Sequence, residues 1–311
     1  MNDTDQLAHL ILGMRKAYAR GENAMEFARR YRSAHEAVPN DIDATTIAYD
    51  LQAGTYIQNY ERNPERAEKV PHQIGDRLRK LIPKGGSILE VGVGEATTLG
   101  SVLSSFAETS DVSAYGFDLS WSRIAHGQQW MHKQARSASL FVADLFQIPL
   151  QSNSIDIVYS CHSLEPNRGR ERDAVSECLR VAGRFVVLAE PIYELASQEA
   201  QVRMDKHGYV RGLKSIAENL GVEVIEYNLL PDPVNLLNPT GILMLKKSGT
   251  KNAGPSIPKW RCPLTGEELI ELDDVFYSEG VGIAYPKLRG VPLLRSEHAV
   301  VASHLVQFGD R

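Results

Sequence analysis

Cysteine is scarce in this chain: three residues, Cys161, Cys178 and Cys262, among 311. They are odd in number and widely spaced, which excludes a disulfide framework and predicts free thiols in a reducing, cytoplasmic setting. Long apolar runs are also missing. None approaches the ~18 residues that a bilayer-spanning helix needs, so no membrane partner is expected. The opening Met1-Asn2-Asp3-Thr4-Asp5 is acidic, and the apolar patch Leu7 to Met14 lacks the flanks of a signal peptide. An excess of positive charge is absent too. With 34 Lys and Arg against 39 Asp and Glu, the net charge of −5 argues against a nucleic-acid partner. What remains is ordinary globular composition, 43% hydrophobic and 23% charged, with length enough for one large domain and a small one.

The most informative stretch is Ser87 to Glu95, Ser-Ile-Leu-Glu-Val-Gly-Val-Gly-Glu. A short run rich in Ile, Leu and Val reads as a buried parallel strand, and the turn after it contains Gly92 and Gly94. Missing side chains there let a ligand approach the backbone. A Gly-x-Gly turn alone is weak, because nicotinamide enzymes share it. Two features sharpen it. Glu90 stands two residues before the first glycine, where a cationic amino group can meet it. Thr97 occupies the third glycine position of the dinucleotide fingerprint, so the turn suits an amino-acid-bearing nucleoside better than a pyrophosphate.

Three more strand ends follow. Ser113 to Leu119 places Asp118 24 residues after Gly94, near the roughly 20-residue spacing of a ribose-binding acid. Ser139 to Val142 leads into Ala143-Asp144-Leu145, and Ile155 to Ser160 opens onto Cys161-His162-Ser163-Leu164-Glu165. With Glu90-x-Gly92-x-Gly94, Asp118, Ala143 to Leu145 and Asp156-x-Val158 in this order, the chain resembles the class I S-adenosylmethionine-dependent methyltransferases. The resemblance implies S-adenosylmethionine as cofactor, held by Glu90, Gly92, Gly94, Asp118 with Leu119, and Asp144 with Leu145. It also implies a tyrosine-bearing helix folded over the donor, for which Tyr49 and Tyr56 are the candidates.

For the acceptor the residues are less explicit. His162 ends the fourth strand and is the candidate general base or acceptor anchor. Glu190, ending the fifth strand, is a second candidate base. Glu165 is expected to orient His162 or bind substrate. The run Arg203 to Arg211, with Arg203, His207 and Tyr209, is a candidate grip for an anionic or polyhydroxylated acceptor. Core packing, solvated surface and loop-orienting roles remain open for each, and Trp121 and Trp130 are read as packing.

Strands alternating with helices predict a doubly wound α/β fold, a seven-stranded sheet with Gly241–Leu245 as a final antiparallel strand. Residues 1–80 are expected to form a helical extension or lid, with helices from Arg15 to Arg32, Thr45 to Asn59 and Pro71 to Ile82. Residues 81–248 form the donor-binding domain, with helices at Trp121–Gln134, Arg170–Arg180 and Ser197–Asn219. The polar Lys247 to Pro258 stretch reads as a linker. The tail, 259–311, carries Arg261-Cys262-Pro263 and resembles the zinc-ribbon-derived domains of methyltransferase activators. With one cysteine it lacks a ligand set, so a small β-rich domain without metal, held by its own core, is expected.

The reading is methyl transfer to a small polar acceptor at oxygen or nitrogen: a sugar, sugar nucleotide or secondary metabolite. A nicotinamide-dependent oxidoreductase and a partner-dependent RNA- or protein-modifying subunit stay open beside it, as does a homodimer.

Overall fold

The computed structural model describes residues 3–33, 42–106, 111–231, 233–248 and 255–308. Among these residues five helices precede the first strand: α1 (Asp3–Ala19), α2 (Ala24–Ser33), α3 (Ile42–Leu51), α4 (Thr55–Arg62) and α5 (Pro64–Leu81). The single helix expected over Arg15 to Arg32 is therefore two. Gly21 at φ +75° turns the chain, and the Asn23 side chain then accepts from the Glu26 amide to start α2. Thr45 to Asn59 is likewise two, broken at Gly54, whose φ of +94° ends any helical continuation. In the opposite sense α5 begins before Pro71. Asn63 caps it, Pro64 sits where no helical N–H is needed, and Pro71 is carried inside it, buried.

The sheet then forms from β1 (Ser87–Val91), β2 (Ser113–Asp118), β3 (Ser139–Val142), β4 (Ile155–Cys161), β5 (Ala182–Pro191), β6 (Glu223–Leu229) and β7 (Thr240–Lys246). Between them run α6 (Thr97–Ser104), α7 (Trp121–Lys133), α8 (Glu171–Val181), α9 (Gln198–His207) and α10 (Leu213–Asn219). The predicted helix over Ser197–Asn219 is split into α9 and α10, since Gly208 and Gly212 both take positive φ. The strand order is β3-β2-β1-β4-β5-β7-β6, with β7 antiparallel to both its neighbours. Order reverses between β1 and β4, which opens a crevice at their carboxyl ends. All five β1 residues are buried, because helices cover both faces and leave no solvated side for alternation.

The final segment builds a small antiparallel sheet from β8 (Ile270–Glu271), β9 (Val275–Ser278), β10 (Ile283–Leu288), β11 (Val291–Pro292) and β12 (Val300–Val301). Among the described residues, buried side chains of this segment share the core of the main sheet. Cys262, Leu269, Phe276, Tyr285 and Leu294 are buried in the same cluster as Leu89, Val91 and Phe141 of the main sheet. The reason is edge pairing: the Leu294 amide donates to Val142 O at 2.8 Å, so the tail covers the free edge of β3. Trp260 packs edge-on to Phe141 (5.1 Å) and Phe276 (4.8 Å), joining the two. Trp121 does more than pack, since its indole N–H donates to Leu288 O. Half of the Lys247 to Pro258 linker, residues 249–254, lies outside the described residues. Where the chain resumes, the Ser256 amide donates to buried Asp156.

Candidate donor and acceptor site

A cavity of about 190 Å³ opens at the carboxyl ends of β1, β2, β3 and β4. Its wall brings together Glu90, Gly92, Gly94, Asp118, Leu119, Asp144, Leu145, Tyr49, Tyr56 and His162. Residues far apart in sequence meet here because each follows a parallel strand that ends at the same level. Gly92 and Gly94 have φ of +65° and +54°, so the turn needs them. A Cβ on Gly92 would lie 2.4 Å from that of Ser163, whose hydroxyl donates to Val91 O. The β1 and β4 loops are thereby seated against each other.

The floor acids are supported in different ways. Asp118 accepts from the Ser120 amide at 2.9 Å and the Gly94 amide at 3.1 Å. Burial nevertheless pushes its carboxyl upward, against those amides and nearby Arg123. Glu90 is fully buried and accepts from the Tyr159 hydroxyl at 2.9 Å. Desolvation raises it to about 8, against that hydrogen bond, with Asp118 adding to the rise. Asp144 accepts from the Phe146 amide and starts a short 3-10 turn that presents Leu145 to the cavity.

Helices α3 and α4 roof the cavity, attached by acids that cross from one layer to the other. Glu95, buried beside the glycine turn, accepts from the Gly54 and Ile57 amides at 2.9 and 2.8 Å and so caps α4, which has no side-chain cap of its own. Asp50 in the roof accepts from the Ser120 hydroxyl and the Ser122 amide at the start of α7. Arg123 lies with its guanidinium 4.6 Å from both the Tyr49 and Tyr56 rings. Glu95, Asp50 and Arg123 were not among the sequence candidates. An arginine one turn after a strand-ending acid was the available signal for Arg123; nothing local marked Glu95 as a cap for a helix forty residues upstream.

The acceptor candidates fare unevenly. His162 lines the cavity in the left-handed region (φ +53°) with its amide on Ala189 O. Both ring nitrogens are engaged: Nδ1 with Glu165 at 3.0 Å and Nε2 with the Thr240 hydroxyl at 2.7 Å. Burial lowers its pKa, but the Glu165 hydrogen bond and the charges of Glu165 and Glu190 outweigh this and raise it. His162, the candidate general base or acceptor anchor, thus stands in the cavity wall with both ring nitrogens held by its neighbours. Glu190, the second candidate base, is also held by its neighbours. Its carboxylate is fully buried away from the cavity wall, accepting from the amides of Ser163, Leu164 and Glu165, and desolvation pushes it up to about 7. It shapes the loop that carries His162.

Arg203, His207 and Tyr209 are not in the cavity wall. The Arg203 guanidinium is 5.7 Å from the Tyr209 ring, and the charged run is tied down by Arg211 pairing with Asp205 and lying across the Tyr193 ring. Further polar residues of the wall are Thr45, Ser163, Asn167 and Arg170, the last lying over the Phe146 ring. Among the described residues no cluster of three or more His, Cys, Asp or Glu side chains is placed to hold a metal ion, and Cys262 is buried with its thiol 3.4 Å from the Tyr285 hydroxyl. No helix is long and apolar enough to cross a membrane among the described residues.

A family model described as a methyltransferase domain matches residues 88–183, the segment from β1 to the start of β5. No curated protein matches the chain. Among solved structures, it is similar to a chain in the complex between the Haloferax volcanii Trm112 methyltransferase activator and a putative methyltransferase (15% identity, 68% of this chain and 99% of that one, TM-score 0.48). Magnesium protoporphyrin IX methyltransferase from Synechocystis PCC 6803 with bound SAH is similar at 14% identity over 73% and 96% of the two chains, TM-score 0.47. A SAM-dependent methyltransferase from Aquifex aeolicus is similar at 15% identity over 68% and 99%, TM-score 0.45.

Proposed function

We propose, for this S-adenosylmethionine-dependent methyltransferase, a small polar acceptor methylated at oxygen or nitrogen. The observation that carries this reading is one cavity whose wall joins the acids and glycine turn at the strand ends to the polar Thr45, Ser163, Asn167 and Arg170. The bound cofactor supplies an electrophilic methyl on a sulfonium. Gly92 and Gly94 bring backbone close to its amino-acid part, Glu90 meets the ammonium, Asp118 the ribose hydroxyls, and Asp144 and Leu145 with Leu119 the adenine. Tyr56 and Tyr49 exclude water from above.

Alignment rather than proton abstraction supplies most of the rate in this reading. His162, braced by Glu165 and Thr240, shapes the acceptor side and leaves no nitrogen for the acceptor's proton. His162→Ala should then lower turnover by less than the ~10²-fold that loss of a general base costs, with a pH–rate profile of unchanged shape. A loss of 10³-fold together with a vanished acidic limb restores the base role. The reaction class is tested by mass-spectrometric transfer of a labelled methyl to hydroxyl- and amine-bearing polar acceptors. Calorimetry with S-adenosylhomocysteine against NAD separates the oxidoreductase alternative; tighter NAD binding defeats this reading.

For the organisation we infer a lid from residues 1–80, a donor domain from 81–248, and a ribbon-like tail from 259–311. The tail's pairing with β3 supports a stabilising role within the same chain. Loss of methyl transfer on deleting 259–311, with S-adenosylhomocysteine binding kept, would give the tail an activator's role instead.

A further inference from the structure

Arg123 is 4% exposed and its Nη2 has no hydrogen-bond partner among the described residues. Its Nε donates to Tyr49 O at 3.0 Å, the two tyrosine rings flank the guanidinium, and the side chain lines the donor cavity. A buried arginine nitrogen without an acceptor is costly, so the position requires a reason. The cavity's charge pattern provides one. Glu90, Asp118 and Asp144 suit the two cationic centres and the hydroxyls of the donor, but they repel its carboxylate. Of the wall's cations, Arg170 is committed to the Phe146 ring and to Asp173 at 3.7 Å, and His162 to Glu165 and Thr240. Arg123 alone in the described wall combines a positive charge with a buried unpaired donor. It also stands at the glycine turn: a Cβ on Gly94 would lie 3.4 Å from its Nη1.

We propose that Arg123 receives the amino-acid carboxylate of the donor through Nη2 and makes the site selective for nucleosides bearing an amino-acid tail. This rests on the donor reading above. Because the same guanidinium is clasped by Tyr49 and Tyr56, the carboxylate contact and the roof share one residue. A donor without the carboxylate meets the same floor and the same tyrosines but leaves Nη2 unpaired.

The test is calorimetric, on the full chain, with S-adenosylhomocysteine and its decarboxylated analogue. The wild-type protein should prefer the carboxylate form by about 10–100-fold, the range for a charged hydrogen bond. Arg123→Met should bring S-adenosylhomocysteine down to the analogue's affinity while leaving the analogue within roughly threefold. Arg123→Lys, which keeps charge and stem but not the fork, is read if the methionine variant does not fold. It should weaken S-adenosylhomocysteine by roughly 3–10-fold and the analogue not at all. Equal affinity of the wild type for both ligands, or equal losses of both in either variant, overturns the proposal and leaves Arg123 a packing residue of the roof. Failure of the wild type to bind S-adenosylhomocysteine at all sinks the donor reading together with it.

Discussion

The floor and the roof of the cavity are built by opposite means. The floor stands on strands: Asp118, Asp144 and the Gly92–Gly94 turn end β2, β3 and β1, and the backbone amide two residues further on holds each of the Asp118 and Asp144 carboxylates. The roof has no such register. Its helices α3 and α4 are attached by individual side chains reaching across, Glu95 upward to α4 and Asp50 downward to α7, in a reciprocal exchange of helix caps. The floor's support is therefore distributed over a sheet, whereas the roof's is concentrated in a few residues. Single substitutions should discriminate between the two.

The largest effect is expected at Glu95. Removing its carboxylate in Glu95→Ala strands the Gly54 and Ile57 amides and uncaps α4, at a cost of about 3 kcal/mol for two charged hydrogen bonds partly recovered by water. Urea denaturation should show the loss, and limited proteolysis should cut first between residues 42 and 62. Uniform destabilisation without early cleavage there would mean that the roof is not separately attached.

Asp118→Ala should spare the fold, because strand pairing remains, and weaken S-adenosylhomocysteine by about 1.5–3 kcal/mol. Unchanged affinity with an intact fold removes Asp118 from the ribose role.

Glu90 sharpens the comparison through pH. Buried and raised to about 8, it is mostly protonated in the free protein at pH 6–7 and must ionise to pair with an ammonium. Affinity for S-adenosylhomocysteine should rise by up to tenfold per pH unit below 8 and level off above, with one proton released per ligand bound. Glu90→Gln should flatten that dependence. A flat profile in the wild type would place the ammonium elsewhere.

The smallest effect concerns the tail. Trp121→Phe removes the hydrogen bond to Leu288 O at a half-exposed site, so a loss of about 0.5–1.5 kcal/mol is expected, with donor binding untouched. Donor affinity that falls with it would show that the tail and the α7 start are coupled to the floor.

The floor could be read in advance because its chemistry is local in the chain: a strand, a turn and an acid lie within a few residues, and parallel pairing brings the ends level. His162 and Glu190 were legible as strand-end residues for the same reason, but their partners were not. Thr240 comes from the antiparallel β7, and the amides that occupy Glu190 belong to a loop whose course depends on the left-handed turn at His162. The charged Arg203 to Arg211 run lies outside the cavity wall, a placement that charge density in sequence does not encode; within it Arg211 pairs with Asp205 and lies across the Tyr193 ring.

Sequence alone was sufficient for the doubly wound sheet, the glycine turn and the order of the strand-end acids, since hydrophobic runs and short-range spacing encode them directly. Only the tertiary structure decided what closes the cavity and what covers the sheet edge. Glu95 meets Gly54, Arg123 meets Tyr49 and Tyr56, and Leu294 meets Val142 across long stretches of chain. Such contacts arise from the relative placement of whole elements in a shared core, and no local pattern in the chain carries that placement.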